Sequence, residues 1–523
     1  MRLELMTPCL KGRCSNRLSY GPIAFALKHY TIYQQGPSSY ATIHFMYWLR
    51  ERIHITWHFT AVTLGFVAGV ALALVWWIGP WLGYIVGVLL VAFAMWRRRR
   101  MLIVLAFVGG ALIGLARGSV VVADLASYKP LYGKTVQLSG VVADDTDAAT
   151  RGMRMKLGNI TVNGKRLPGQ VFATISGADT ARRSDTVAME GQLKPGFGSF
   201  AATITGKSKG VQRPVPGDVP LEVRDNFAGQ VRNAIDEPAA SLGIGYLLGQ
   251  KSALPADLVE ALKITGLTHV VVASGYNLTI LVRLGRRLFA KISKYLSMLS
   301  GASLIIAFIA ITGLSPSMTR AGLVAGLGLW AWYYGRKFHP VTLLGVAAAV
   351  TVAVNPSYVW GDLGWLLSFA AFAGVMILAP IATAYLYGKE KVPFVGQLLI
   401  ETISAQIATL PIMIMAFQQF SIIAPLANLL ILPIIPFLML LTAIAGFVTW
   451  LVPALAGIVG WVPEQLLRLQ IAIIDWCANI PWALEKPEWP WWGAVVYIVI
   501  VVGVVTYMKY KSKYKLYNAS LVE

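Results

Sequence analysis

Hydrophobic and polar positions follow three different rhythms along this chain, and each change of rhythm marks a boundary. Three apolar runs, at 60–79, 81–96 and 101–116, read as short membrane helices in a 56–118 unit; the first two hinge at Pro80 and the last two flank Arg97-Arg98-Arg99-Arg100. From 124 to 222 the pattern shortens to β-favouring segments at 135–144, 153–162, 170–176, 185–193 and 199–207, separated by Gly, Asn, Asp and Pro turns. Five such strands predict a small barrel, for which an OB-like fold is the natural form. A Pro/Gly-rich linker at 212–220 leads into an amphipathic stretch, 223–256, which is too mixed to span and is expected to lie in the membrane interface. Apolar runs then recur from 264 to 508, several shorter than the roughly 20 residues an upright span needs. Broken or buried helices are implied. The expected fold is therefore a polytopic α-helical membrane protein of about 12 spans, several of them broken, with an inserted extracytoplasmic β-barrel.

Composition agrees with a membrane protein. Hydrophobic residues make up 56% of the 523-residue chain and charged residues only 13%, against about 25% in soluble domains. The net charge of +21 has two sources open to it: basic loops on the cytoplasmic side, or a polyanionic partner. The Arg97–Arg100 run is the strongest orientation signal. It places the basic 1–55 segment inside, puts 124–222 outside, and lets the basic loops at 283–294, 335–340 and 388–391 and the 509–523 tail all fall inside. Both termini are then cytoplasmic. Cys9, Cys14 and Cys477 make no disulfide framework, and the six histidines form no metal-binding cluster. No metal, no cofactor and no enzymatic activity are expected, and nothing fits the phosphate-binding G-x-x-x-x-G-K-[ST] pattern of an ATPase.

Chemistry concentrates where polar residues interrupt apolar helices. His269, Ser274, Gly275, Tyr276 and Asn277 cross the centre of one would-be span, a mixture tolerated only where protein satisfies the polar groups. His269 reads equally as a structural histidine or a pathway residue. Ser274-Gly275 breaks the helix through backbone freedom, and a broken end exposes N–H groups that suit phosphate. Arg320, just after Ser315-Pro316-Ser317, is placed either to snorkel or to pair with phosphate. Thr402, Gln406 and Thr409 form one polar stripe at helical spacing, fit for a hydrated path or for helix-to-helix hydrogen bonds. Asn428 lies between Pro425 and Pro433 in another broken helix. Glu401 and Asp362 read as interfacial, and Trp489, Trp491 and Trp492 as an aromatic belt.

Four segments in order carry a resemblance. H-x-x-x-x-S-G at His269, Ser274 and Gly275, the turn G-L-S-P-S-M-T-R-A at 313–321, N-P-S-Y-V-W-G-D-L-G-W-L-L-S-F-A-A at 355–371, and Q-I-A-T-L-P at 406–411 followed by P-L-A-N at 425–428 resemble the competence region of the ComEC proteins. One departure is Asn277, where the family usually has a second histidine, which puts a proton-transfer role there in doubt. The resemblance implies a bacterial inner-membrane channel, 257–508 forming its membrane domain, that brings single-stranded DNA into the cytoplasm during natural transformation. It implies DNA-pathway roles for His269, Ser274, Gly275, Asn277, Ser317, Arg320, Gln406, Thr409 and Asn428. It also implies partners: an extracytoplasmic DNA receptor and pilus apparatus, a cytoplasmic translocase ATPase, single-strand-binding proteins, and a nuclease supplied in trans. No segment resembles the metallo-β-lactamase-like domain of longer members. The rival reading is a small-solute or lipid transporter capped by the β domain, and a third is a scaffold of the pilus apparatus.

Overall fold

The computed structural model describes residues 52–512 apart from 150–151, 178–180, 251–253, 272–273, 314, 337–338 and 389. Most of the basic 1–55 segment, with Cys9 and Cys14, and the tail beyond 512 lie outside the described residues.

The first three helices, α1 (Ile55–Leu72), α2 (Pro80–Arg97) and α3 (Ile103–Leu125), form a tight trio in which α1 and α3 run parallel and α2 runs antiparallel to α3. Their contact is built from glycine. A Cβ on Gly65 or Gly69 of α1 would strike the backbone carbonyls of Phe107 or Ala111, and one on Gly110 or Gly114 of α3 those of Val62 or Phe66. Two glycines four residues apart on each helix thus bring the backbones together, which supplies close packing where lipid gives no hydrophobic drive.

The chain then folds into the barrel, β1 (Thr135–Val142), β2 (Gly152–Val162), β3 (Val171–Ser176), β4 (Thr186–Pro195) and β5 (Ala202–Gln212). The pairing runs β1-β2-β3-β5-β4 and back to β1, so no edge is left unpaired; β3–β5 is parallel and the other pairs are antiparallel. Alternate positions fill it: Leu138, Leu157, Ile160, Val171, Ile175 and Met189 are all buried. All five expected strands are present, in the strand order of an OB-like barrel.

Next come α4 (Val219–Ala234), α5 (Ala239–Leu248), α6 (Ala256–Ile264) and a single turn, α7 (Thr268–Val271). Part of the segment expected to lie in the interface is protein core. Nearly every residue of α5 is buried, and α4 packs its Leu221, Ala228 and Val231 side inward, with Phe227 and Val231 over Gly446. Glycine and alanine explain the difference, since α5 is too short to span and too smooth to need lipid.

The remaining helices are α8 (Gly275–Phe289), α9 (Lys294–Thr312), α10 (Pro316–Tyr333), α11 (Pro340–Val354), α12 (Leu363–Ala373), α13 (Ala379–Tyr387), α14 (Phe394–Phe417), α15 (Ala424–Ile431), α16 (Ile435–Leu451), α17 (Ala456–Ala478) and α18 (Trp491–Ser512). Five π-helical residues, 374–378, join α12 to α13 at Gly374, where a Cβ would strike the Ser404 carbonyl on α14. Among the described residues seven helices are long and apolar enough to cross a membrane, or eight with the pair α15 and α16, bent by 49°. The expected number of about 12 is not reached. Some apolar runs end as short helices such as α11 and α8, and α17 is interrupted by polar and charged residues such as Glu464, Gln465 and Arg468.

Two ends of the helix bundle are distinguished by their contacts. At one, Trp57 meets the His339 ring, Thr60 Oγ1 hydrogen-bonds Thr342 Oγ1 at 2.6 Å, and His58 Nε2 lies 3.2 Å from the Arg99 carbonyl. Arg286 stacks on Trp332 at 4.1 Å with Lys294 close by, and Tyr385 meets Tyr507 beside Lys509. Basic residues Arg99, Arg286, Lys294 and Lys509 stand at or beside these contacts. At the other end sits the barrel.

The barrel is docked through buried charge. The Arg183 side chain, 8% exposed, donates Nε and Nη2 to the Asp218 carboxylate at 2.9 and 3.1 Å, and Nη1 and Nη2 to the Ile311 and Ala310 carbonyls at 3.0 Å each. A cation thus caps the last turn of α9, where the helix dipole favours it and two carbonyls lack helical partners. Arg224 of α4 donates to Asp145 at 2.6 Å. Gly198 lies against Gly361, a Cβ on it coming 3.0 Å from the Gly361 oxygen, and Ser199 Oγ donates to Asp362 at 2.9 Å.

Candidate functional site

Two helix breaks meet inside the bundle. The first separates α7 from α8. Ser274 is extended and its Oγ accepts from the Asn277 N–H at 3.3 Å, capping α8, which Gly275 opens. Asn277 is fully buried and its Nδ2 donates to the Val270 and Tyr246 carbonyls at 3.1 and 3.0 Å. Val270 is in the last turn before the break, so its carbonyl has no continuing helix to receive a bond from. The amide replaces the lost backbone donor. Tyr276 Oη donates to the Leu432 carbonyl at 3.1 Å, which lies in the second break, between α15 and α16. One tyrosine therefore ties the two breaks together.

Arg320 faces the first break. A Cβ on Gly275 would sit 3.5 Å from Arg320 Nη2 and 3.1 Å from the Ala321 Cβ. Its Nε donates to Ser368 Oγ at 2.6 Å, and Ser317 Oγ lies 3.4 Å from that same hydroxyl. The guanidinium is 5.4 and 5.9 Å from the Phe372 and Phe369 rings, within cation–π range. No carboxylate pairs with it among the described residues. A lone guanidinium beside the N-terminus of a helix sums two positive potentials in a setting of low dielectric, and an anion is the ligand that relieves both.

A second line runs from His269, whose Nδ1 lies 2.8 Å from the Gly266 carbonyl. Gly266, at φ 71°, is pressed against Ala424 and Ser421, and the Ser421 carbonyl accepts from Gln406 Nε2 at 2.6 Å. The left-handed backbone and the close approach both require glycine here.

The structure sorts the expected residues accordingly. Ser274, Gly275, Ser317 and Arg320 converge, while His269 and Gln406 are joined through Gly266 and Ser421. Thr409 bonds back to the Ala405 carbonyl of its own helix at 3.0 Å, and Asn428 is buried within α15. Asn277 and Gln406 are engaged with backbone carbonyls, because each break leaves polar backbone that lipid cannot satisfy. Ser368 and Tyr276 belong to the site and were not singled out as site residues beforehand; Ser368 stood in the matched L-S-F-A run all along. Asp362 caps a helix and contacts the barrel: its Oδ1 accepts from the Trp365 N–H at 2.8 Å. Among the described residues no group of three His, Cys, Asp or Glu side chains could hold a metal ion.

Comparison with known proteins gives three findings. A family model described as competence protein matches residues 246–511, about half of the chain and the whole of the site just described. ComE operon protein 3 of Bacillus subtilis is 27% identical over 219 residues, covering 40% of this chain and 26% of that protein. Competence protein ComA of Neisseria gonorrhoeae is 26% identical over 271 residues, covering 48% of this chain and 37% of that protein. The match thus spans well under half the length of either relative. No solved structure matches.

Proposed function

The chain belongs to the competence protein family, and from that premise we propose that it conducts single-stranded DNA across the bacterial inner membrane during natural transformation. The observation that carries this reading is Arg320, unpaired with any carboxylate among the described residues and set against the first turn of α8. A phosphodiester is a mobile anion with a delocalised charge. A guanidinium and a helix N-terminus can hold it without base readout, so passage is independent of sequence. Ser317 and Ser368 add hydroxyls that can hydrogen-bond phosphate oxygens as the strand moves.

In this reading the barrel lies outside the cell and the basic loop ends and both termini lie in the cytoplasm, as the Arg97–Arg100 rule requires. A strand would enter at the barrel end and leave past Arg286, Lys294 and Lys509 towards single-strand-binding proteins. Pulling force comes from a cytoplasmic translocase ATPase, delivery from an outer DNA receptor and pilus apparatus, and any strand degradation from a nuclease acting in trans. The protein itself is not an enzyme. The test is uptake of labelled DNA per folded molecule in membranes. Arg320→Gln should lower it at least tenfold at unchanged protein level, and Arg320→Lys should restore part of it. Normal DNA uptake in Arg320→Gln, with altered flux of a small solute or lipid, would favour the transporter reading instead; lost pili would favour the scaffold.

A further inference from the structure

The barrel surface carries one anomaly. From 126 to 212, among the described residues, Phe197 is the single large hydrophobic side chain counted as exposed, at 56%. It does not stand alone. Its ring centroid is 5.3 Å from that of Phe200 and 5.4 Å from that of Phe172, and the Phe172 and Phe200 rings are 5.4 Å apart. The interplanar angles of 58–66° are those of mutually tilted rings, the arrangement aromatic groups prefer. Three rings therefore make one rigid apolar knob on a surface that is otherwise polar.

The knob sits where the spans end. Gly198, the next residue, touches the backbone of Gly361. Trp360, just before it, donates Nε1 to the Val70 carbonyl in the last turn of α1 at 2.8 Å. Ala201 and Leu125, the last residue of α3, both lie near Gly169. At these same helix ends Trp76, Trp77 and Trp81 are exposed by 64–81%, as aromatic side chains are at the boundary between acyl chains and headgroups. The loop is thus fixed within about one residue's length of a backbone that is level with a span terminus, since consecutive Cα atoms are about 3.8 Å apart.

We propose that the 196–200 loop is a membrane anchor: Phe197, backed by Phe172 and Phe200, enters the headgroup and upper acyl region of the bilayer leaflet on the barrel side. The partner is lipid, not protein. Insertion gives the exposed ring an apolar setting and adds to Ser199–Asp362 and Arg183–Asp218 a third hold on the barrel, one that depends on the bilayer itself. The inference stands whether or not the chain conducts DNA.

The test uses the full chain in nanodiscs of phosphatidylcholine and phosphatidylglycerol. Phe197→Cys, in a background with Cys9, Cys14 and Cys477 replaced by Ser, is labelled with a bimane fluorophore. Nitroxide placed at the headgroup or the upper acyl chain should quench it several-fold more than dissolved iodide does. Adding a single-stranded oligonucleotide should leave both values unchanged. Dominant iodide quenching would overturn the proposal, as would protection by the oligonucleotide, which would assign the rings to unpaired bases. Hydrogen exchange of the native chain provides a second reading free of any label. Amides 197–200 should exchange more slowly in nanodiscs than in a non-bilayer amphipathic polymer, and equal rates would also overturn the anchor.

Discussion

Asn277 stands inside an apolar core cluster, yet its amide holds two carbonyls that the helix break would otherwise abandon. Replacing it with Leu keeps the volume and removes both bonds. Each buried carbonyl left unpaired costs about 1–3 kcal/mol, although averages within membranes run nearer 0.6 kcal/mol per bond. Asn277→Leu should therefore lower the protein's thermal midpoint in detergent and its level in the membrane. A variant with wild-type stability but lost uptake would return the residue to the pathway. Arg320 should behave in the opposite way, because among the described residues it has no carboxylate to lose. Sequence singled out both positions correctly as unusual, but not their different work. What separated them was three-dimensional: which carbonyl lacked a donor, and which cation has no carboxylate partner among the described residues. Neither is written in residue type.

Among the elements, the glycine seam between α1 and α3 and the arginine cap on α9 make different demands. Gly69→Leu or Gly110→Leu should force α1 and α3 apart, since the added carbon would meet backbone and not a movable side chain. The expected result is loss of folded protein, seen as a shift to aggregate in size exclusion, while Gly503→Ala on α18, where nothing lies within 4 Å, should be silent. The cap is sensitive to acid. Burial alone would raise the Asp218 carboxyl, but hydrogen bonds from Arg183, Ser184 and the Leu221 N–H outweigh it and hold it below the ordinary carboxylate range. A depressed folded value means that the stabilisation is present above the unfolded value of about 3.9 and is lost as pH falls through the folded one. Barrel docking should therefore be flat from about pH 5 to 8 and weaken only in stronger acid, and Asp218→Asn should abolish that acid response. Removing one partner of so buried a pair costs about 3–5 kcal/mol, measurable by proteolysis of the barrel. The five strands were legible because alternation and turn residues act locally. The burial of α4 and α5 was not, because an amphipathic face looks the same whether lipid or protein covers it.

On the scale of the whole molecule, polarity from end to end is the organising feature. Basic residues far apart in sequence stand at or beside the contacts of one end, and the barrel occupies the other. A Cys at Lys165 in the barrel should react with an impermeant maleimide added to whole spheroplasts. A Cys at Arg98 should react only after the membrane is opened. The reverse pattern would invert the protein in its membrane. Four arginines give an expected orientation that this labelling tests, whereas the number of crossings was not readable: hydropathy records how apolar a run is and leaves unsaid whether it turns back, breaks or ends early.

The arginine cap also sets an order of events at the ribosome. Residues 183 and 218 leave the exit tunnel before the residues of α9 do, so Arg183 and Asp218 can already be paired when the Ala310 and Ile311 carbonyls arrive. Those two oxygens then find a finished receptor instead of waiting in a half-built membrane. Early synthesis would let the barrel serve as a template for the helices that follow it, and a nascent chain carrying Arg183→Met should linger at the insertion machinery with α9 accessible to protease.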